Sequence, residues 1–292
     1  MVRWRGAVAM IGVLALAACA APRSDAPGPS GSAPVTRLGH QRPSDLVGLW
    51  RVQARGEEAG AILRLGQDLS IWRRCDDLFG EWAADAAGGF LGETNGYSYE
   101  CGGPKVTAPP KPEFPTPAPA DWLLRAVAYR VDGANRLLLD DQGGIVARLT
   151  PSGEPSARHV VVPELYARPV LDDALRRQLA PAPALPAKLR PATAGELVGT
   201  WRPAVAGANP RQYVTIKADR SWEASDGCNG QEGRWIVDEP GAVLTIGGGS
   251  TAVGCAGQDK APRFGLARGA GFDGTTLVLI DAQGKEVGRL ER

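Results

Sequence analysis

The chain has 292 residues, of which 33 are Lys or Arg and 32 are Asp or Glu, so its formal net charge at neutral pH is +1. A balance this even argues against electrostatic capture of nucleic acid or of an anionic surface. Beyond an apolar stretch near the start, no segment reads as membrane-spanning, and the length suits one large domain or two of ordinary size.

The opening, MVRWRGAVAMIGVLALAACA, places Arg3 and Arg5 before an apolar run from Gly6 to Ala18 that ends in small residues. This reads as a secretory signal, too short for a stable transmembrane anchor. Its end, Leu16-Ala17-Ala18-Cys19, resembles the bacterial lipobox. That resemblance implies a signal peptide over 1–18, cleavage after Ala18 and lipid attachment (diacylglyceryl, with palmitate-type acylation) at Cys19. Residues 19–44 are rich in Ala, Pro, Gly and Ser and show no apolar periodicity, so they read as a disordered tether. A coil of that length reaches roughly 25–30 Å. The protein is therefore expected at the cell membrane or outer membrane, facing the extracytoplasmic side, with the membrane as a partner through the lipid on Cys19. By analogy, the absence of Asp after Cys19 favours the outer membrane if two are present.

After the tether, one plan is written twice. Leu46-Val47-Gly48-Leu49-Trp50 returns as Leu197-Val198-Gly199-Thr200-Trp201. Cys75, followed by Gly80-Glu81-Trp82, returns as Cys228, followed by Gly233-Arg234-Trp235. A second cysteine follows in each half, Cys101 and Cys255, and each half closes on a related stretch, Leu137–Leu149 and Val278–Leu290. The domains predicted are 45–152 and 195–292, joined by a connector over 153–194.

Short runs rich in β-branched and aromatic residues predict strands in each copy. In the second copy they are Tyr213–Ile216, Ser221–Glu223, Gly233–Val237, Val243–Ile246 and Thr275–Asp281, separated by Asp-Gly and Asn-Gly turns. The expected fold is mainly β (α+β): two tandem small antiparallel β-barrel-like domains, each with a short helix. In the first copy that helix is expected over Asp121–Arg130, and its counterpart near Pro262–Arg268 is weaker. Within the Pro/Ala-rich connector, Leu171, Leu175 and Leu179 lie four apart and Asp172-Asp173 suit a first turn, so a helix is predicted there, packed between the two domains.

These landmarks together resemble the META/HslJ-like domain of bacterial envelope proteins. The second copy carries its pattern at Leu197, Gly199, Trp201, Gly227-Cys228-Asn229, Gly233, Trp235, Thr251, Cys255, Leu277, Leu279, Asp281 and Gly284. The first copy keeps Leu46, Gly48, Trp50, Cys75, Gly80, Trp82 and Cys101. It departs at Arg74 and Asp76, which flank its cysteine, and carries a Pro-rich insertion, Pro104–Pro119. The resemblance implies a small, mainly antiparallel β fold with a helix, and no catalytic residues.

Once Cys19 is assigned to lipid, four cysteines remain, an even number for an oxidising compartment. The separations Cys75 to Cys101 and Cys228 to Cys255 differ by one position, as inheritance of one bridge would leave them. Each bridge would stabilise its domain by about 3.5 kcal/mol in the chain-entropy account. The rival is a cysteine nucleophile at Cys228, which usually needs a histidine base. The two histidines are His40, in the tether, and His159, in the connector. The same scarcity argues against zinc.

Other signals of chemistry are weak. Gly247-Gly248-Gly249-Ser250-Thr251 lacks the lysine of a phosphate loop and reads as a turn between strands. The pairs Asp76-Asp77 and Asp140-Asp141 read as solvated turn carboxylates. Trp50, Trp82, Trp201 and Trp235 read as core residues, while Trp122 falls outside the duplicated set.

The expected function is that of a lipid-anchored, non-catalytic binding or envelope-maintenance (stress) module. It has no cofactor, no metal and no nucleic-acid partner, and an envelope protein or small molecule is its possible ligand. The competing readings are a secreted cell-wall hydrolase or other envelope enzyme, and a protease-inhibitor-like protein acting through an exposed loop such as Pro104–Pro119.

Overall fold

The structure, a computed structural model, describes residues 40–99, 117–155, 166–251 and 263–292. Burial along the strands follows the period-two alternation that a closed sheet imposes. In Gly48–Ala54, Trp50 and Val52 point inward and Arg51 and Gln53 outward; in Gln212–Ile216, Val214 and Ile216 are buried while Tyr213 and Thr215 are half-exposed.

The first sheet is an antiparallel meander of β1 (Gly48–Ala54), β2 (Ile62–Leu65), β3 (Leu69–Trp72), β4 (Asp76–Ala84), β5 (Phe90–Tyr99), β6 (Ala128–Asp132), β7 (Asn135–Leu139) and β8 (Ile145–Pro151). β8 returns to pair with β1, setting Val52 opposite Leu149. The ring closes where β5 begins, through a bridge between Gly89 and Ala128 and the bond from Phe90 N–H to Val127 C=O (3.0 Å).

After the two-residue strand β9 (Arg190–Pro191), the second sheet repeats this order. Its strands are β10 (Gly199–Pro203), β11 (Gln212–Ile216), β12 (Ser221–Asp226), β13 (Gly230–Glu239), β14 (Ala242–Ser250), β15 (Gly269–Asp273), β16 (Thr276–Ile280) and β17 (Glu286–Glu291). Here β17 pairs with β10 and β14 with β15, and β9 lies on the outer side of β15. The fold is mainly β, two barrel-like antiparallel sheets with a few short helices.

The same side-chain bonds recur in both barrels. A 3-10 turn, η1 (Pro43–Leu46), leads into β1, and a short helix, α3 (Ala194–Leu197), leads into β10. The Trp50 indole donates to Leu46 C=O at 2.7 Å, and Trp201 donates to Leu197 C=O at 2.7 Å. Trp82 donates to Gly66 C=O (2.8 Å), and Trp235 to Lys217 C=O (3.1 Å). Gly80 and Gly233 sit at register shifts where a Cβ would lie 1.8 Å from Glu93 O and 2.2 Å from Ile246 O, so only glycine lets the neighbouring strand approach. The turns after β7 and β16 match as well: Asp140 accepts from Gln142 and Gly144 N–H, Asp281 from Gln283 and Lys285 N–H.

Tryptophans fill both interiors. Trp50, Trp82 and Trp122 pack with Leu63, Ile71, Phe90 and Tyr129, and Trp201, Trp222 and Trp235 with Val214, Phe264 and Leu279. Trp122 thus belongs to the first core, and its indole donates to Glu57 (2.8 Å), which also forms an ion pair with Arg73.

Three expectations need correction. The helix expected over Asp121–Arg130 is only α1 (Asp121–Arg125). From Ala128 the chain is strand β6, because Tyr129 pairs with Leu138 in the sheet and local helical spacing yields to that ladder. Its counterpart is the 3-10 turn η2 (Phe264–Leu266). Secondly, Asp76 and Asp77 are buried at the start of β4, not solvated; Asp76 pairs with Arg73 (3.3 Å) and Asp77 accepts from the Tyr166 hydroxyl (3.0 Å). Thirdly, the connector helix α2 (Asp173–Gln178), capped by Asp172 accepting from Leu175 N–H, packs on the first barrel, with Leu171, Leu175 and Leu179 all against that core. Farther on, Leu185 and Leu189 pack on Val278 and Ile280 of the second barrel.

The two barrels meet face to face along β4–β5 and β13–β14. Ala83, Leu91 and Val127 pack against Ile236, Leu244 and Ile246 in a common apolar cluster.

The indole bonds generate a prediction. Replacing Trp201 with Phe leaves Leu197 C=O without its buried donor and removes packing volume, so stability should fall by about 1–3 kcal/mol. Trp50→Phe should cost a similar amount in the first barrel, and urea unfolding of each variant measures both.

Candidate functional site

Because the interiors are filled, space for a ligand lies outside them, on each barrel and where the barrels meet. A cavity of about 470 Å³ lies at this seam. Its floor is the indole of Trp222, fixed by a bond to Ile246 C=O (3.1 Å) and an edge-on contact with Phe264 at 5.7 Å. Gly247, Gly248 and Gly249 form one wall, Glu232 and Arg263 lie at the rim, and the first barrel contributes Glu81.

The glycine run is not a turn, as expected, but the last part of strand β14. Carboxylates lie against this strand. A Cβ on Gly247 would lie 3.5 Å from Glu81 Oε2, one on Gly248 3.4 Å from Glu93 Oε2, and one on Gly249 3.4 Å from Glu232 Oε1. Gly247 N–H donates to Glu81, and Asn95 reaches Gly248 C=O at 3.4 Å.

Three carboxyl groups therefore gather on one stretch of backbone. Burial holds the Glu93 carboxyl above the ordinary range; Arg234 opposes this, and Glu232 and Glu81 add to it. Glu93 Oε2 is buried and has no hydrogen-bond partner among the described residues. Burial also raises Glu81, against the bond from Gly247 N–H. The cavity itself, lined by the carboxyls of Glu81, Asp226 and Glu232 and by Trp222, is rich in acceptors beside an aromatic surface. It suits a ligand that offers N–H or O–H donors. Among the described residues no histidine lines it, and no cluster of His, Cys, Asp and Glu is arranged to hold a metal ion.

Cys228 stands close by, in the turn between β12 and β13. Asp226 Oδ1 accepts from Cys228 N–H (2.8 Å) and Asn229 N–H (2.5 Å), and Gly227 has φ +92°, so the turn is organised by Asp226 and Gly227. Cys228 and Cys75 are each disulfide-bonded, and a sulfur in a disulfide supplies no thiolate. Their expected partners Cys101 and Cys255 lie outside the described residues, as do Cys19, the signal segment, His159 and most of the Pro104–Pro119 insertion. His40 is exposed at the start of the described chain.

In comparison with known proteins, no family model, no curated protein and no solved structure matches the chain. Among the described residues, no helix is long and apolar enough to cross a membrane.

Sequence reasoning did not single out Glu81, Glu93 or Glu232, because isolated glutamates on alternating strands read as solvent-facing. The available signal was the glycine run, which marks a place where another group approaches the backbone.

Glu93 supplies a pH test. Its folded-state pKa lies above the ordinary value of 4.5. Folding therefore retains a proton that the unfolded chain releases, and stability falls as pH rises from that value through the raised one. Glu93→Gln should flatten this slope and be more stable than the parent at neutral pH, as urea unfolding across a pH series would record.

Proposed function

We propose that the chain is a membrane-anchored extracytoplasmic lipoprotein built from two META/HslJ-like barrels, and that it acts as a non-catalytic binding module of the cell envelope. The observation carrying this reading is the contrast between two tryptophan-filled interiors and one acceptor-rich cavity at their seam. A pocket with an aromatic floor, bare strand backbone and carboxyl groups is a site for holding a polar ligand. The ligand class is a small hydroxyl- or amine-bearing molecule of the envelope, such as an amino sugar.

Support for the family reading comes from where the repeated motif falls. Leu46 and Trp50, and Leu197 and Trp201, make the same clasp in the two barrels, and Gly80 and Gly233 stand at equivalent bulges. The lipid anchor rests on Leu16-Ala17-Ala18-Cys19 and on the tether that follows. In this reading Cys75 bonds to Cys101 and Cys228 to Cys255, the same pairing in each copy.

Two measurements test the proposal. Cys19→Ala should abolish acyl labelling and move the protein from the membrane fraction to the soluble fraction of the cells that make it; unchanged partition would overturn the anchor. Glucosamine should quench tryptophan emission saturably through Trp222, and Gly248→Leu, which fills the cavity, should weaken that response at least tenfold. A response identical in the variant would remove the cavity from the reading.

A further inference from the structure

The seam between the barrels also contains a pair of acids from equivalent positions in the two copies. Asp85 follows β4, and Asp238 stands near the end of β13, the matching strand. Asp85 Oδ1 accepts from Gly89 N–H at 2.9 Å. A Cβ added to Gly89 would lie 2.1 Å from Asp238 Oδ2 and 2.9 Å from Asp85 Oδ2, so both carboxyls converge on this glycine from opposite barrels. Asp238 Oδ2 is buried, the Asp238 carboxyl is hydrogen-bonded to that of Asp85, and Oδ2 has no partner of its own among the described residues. The apolar side chains of Ala83, Leu91, Ile236 and Leu244 belong to the same interface.

The charged and titratable groups facing this pair come from three further directions. Arg268, ahead of β15, is attracted to Asp85, and its guanidinium is held by Thr245 and by Ala267 C=O (2.9 Å). Tyr129 of β6 donates its hydroxyl to Asp85 C=O (3.1 Å) and is itself held neutral by burial. Glu239, the next residue of β13, adds negative charge beside Asp238. The pair sets two carboxylates against one guanidinium, the exposed Glu239 adds to the excess, and a single proton on the pair lowers that negative charge by one. A fully ionised pair has no such relief in a medium that solvates charge poorly.

We propose that Asp85 and Asp238 are a proton-sharing clamp, which docks the two barrels most tightly while the pair holds one proton and loosens them as the pair ionises. Burial, followed by the charge of Asp85, raises the Asp238 carboxyl to about 8 from its ordinary value of 3.8. The docked state therefore keeps a proton that the separated barrels release within this window. Docking weakens about tenfold per pH unit as pH rises through it and levels off above about 8. Because the cavity takes Glu81 from one barrel and its other walls from the second, the same proton governs whether that cavity is assembled. The clamp does not depend on what ligand the cavity takes or on the anchor.

The test is urea-induced separation of the barrels in the full chain, followed by small-angle scattering, with near-ultraviolet dichroism reporting the indole cores. Between about pH 5 and 8 the parent midpoint should fall steadily, then flatten. In a Glu93→Gln background, which removes that carboxyl's share of the slope, Asp238→Asn should abolish what remains in this window, and Asp85→Asn should do the same. If the barrels separate only as they unfold, the slope is read from that joint transition. A parent midpoint that does not change with pH would overturn the clamp, as would an unchanged slope in both variants. If neither variant folds, the titration of Glu93→Gln alone still decides, because the clamp's share of the slope persists there.

Discussion

An eight-stranded barrel encloses a lumen only wide enough for side chains, and in this protein the tryptophans occupy it. Each buried indole also brings an N–H that needs an acceptor. Trp50 and Trp201 solve this by reaching back to the carbonyl of the residue four positions earlier, which pins the short helical turn at the barrel entry. Trp82 and Trp235 reach the carbonyls of Gly66 and Lys217, near the ends of the second strands. Filling the interior in this way leaves the outer surfaces and the seam between barrels as the places where a ligand can be met.

The seam combines duplication with divergence. Ala83 and Ile236, Leu91 and Leu244, and Asp85 and Asp238 are matched positions that face each other across it. The cavity beside them is lopsided: the second barrel supplies the glycine strand and Trp222, while the first supplies Glu81. The two copies have kept the same core bonds and parted at the surface, as expected if core geometry constrains substitution more than exposed chemistry does.

Much of the architecture was legible because its signals are local. The repeated Leu-x-Gly-x-Trp openings, the Asp-Gly and Asn-Gly turns and the short β-branched runs place strands and turns where the backbone requires them. The α1 expectation ran past Arg125 because Trp122, Ala126 and Tyr129 share a helical spacing, while the ladder from Tyr129 to Leu138 is a long-range fact. Asp76 and Asp77 looked exposed for the same reason: Arg73 is close in sequence, but Tyr166 is remote. The site was harder still. Glu81 and Gly247 are in different copies, and only the docking of two barrels brings them together.

The shared face has a further consequence because both of its halves belong to one chain. Two separate identical subunits must present surfaces complementary to themselves, so every substitution enters such a contact twice. On one polypeptide each half changes independently, and the connector keeps the partner at a fixed effective concentration however dilute the protein is. Val127 in the first barrel and Arg268 at the corresponding place in the second show what this permits. One side of the seam keeps an apolar contact and the other gains a cation, a combination closed to any interface that must mirror itself.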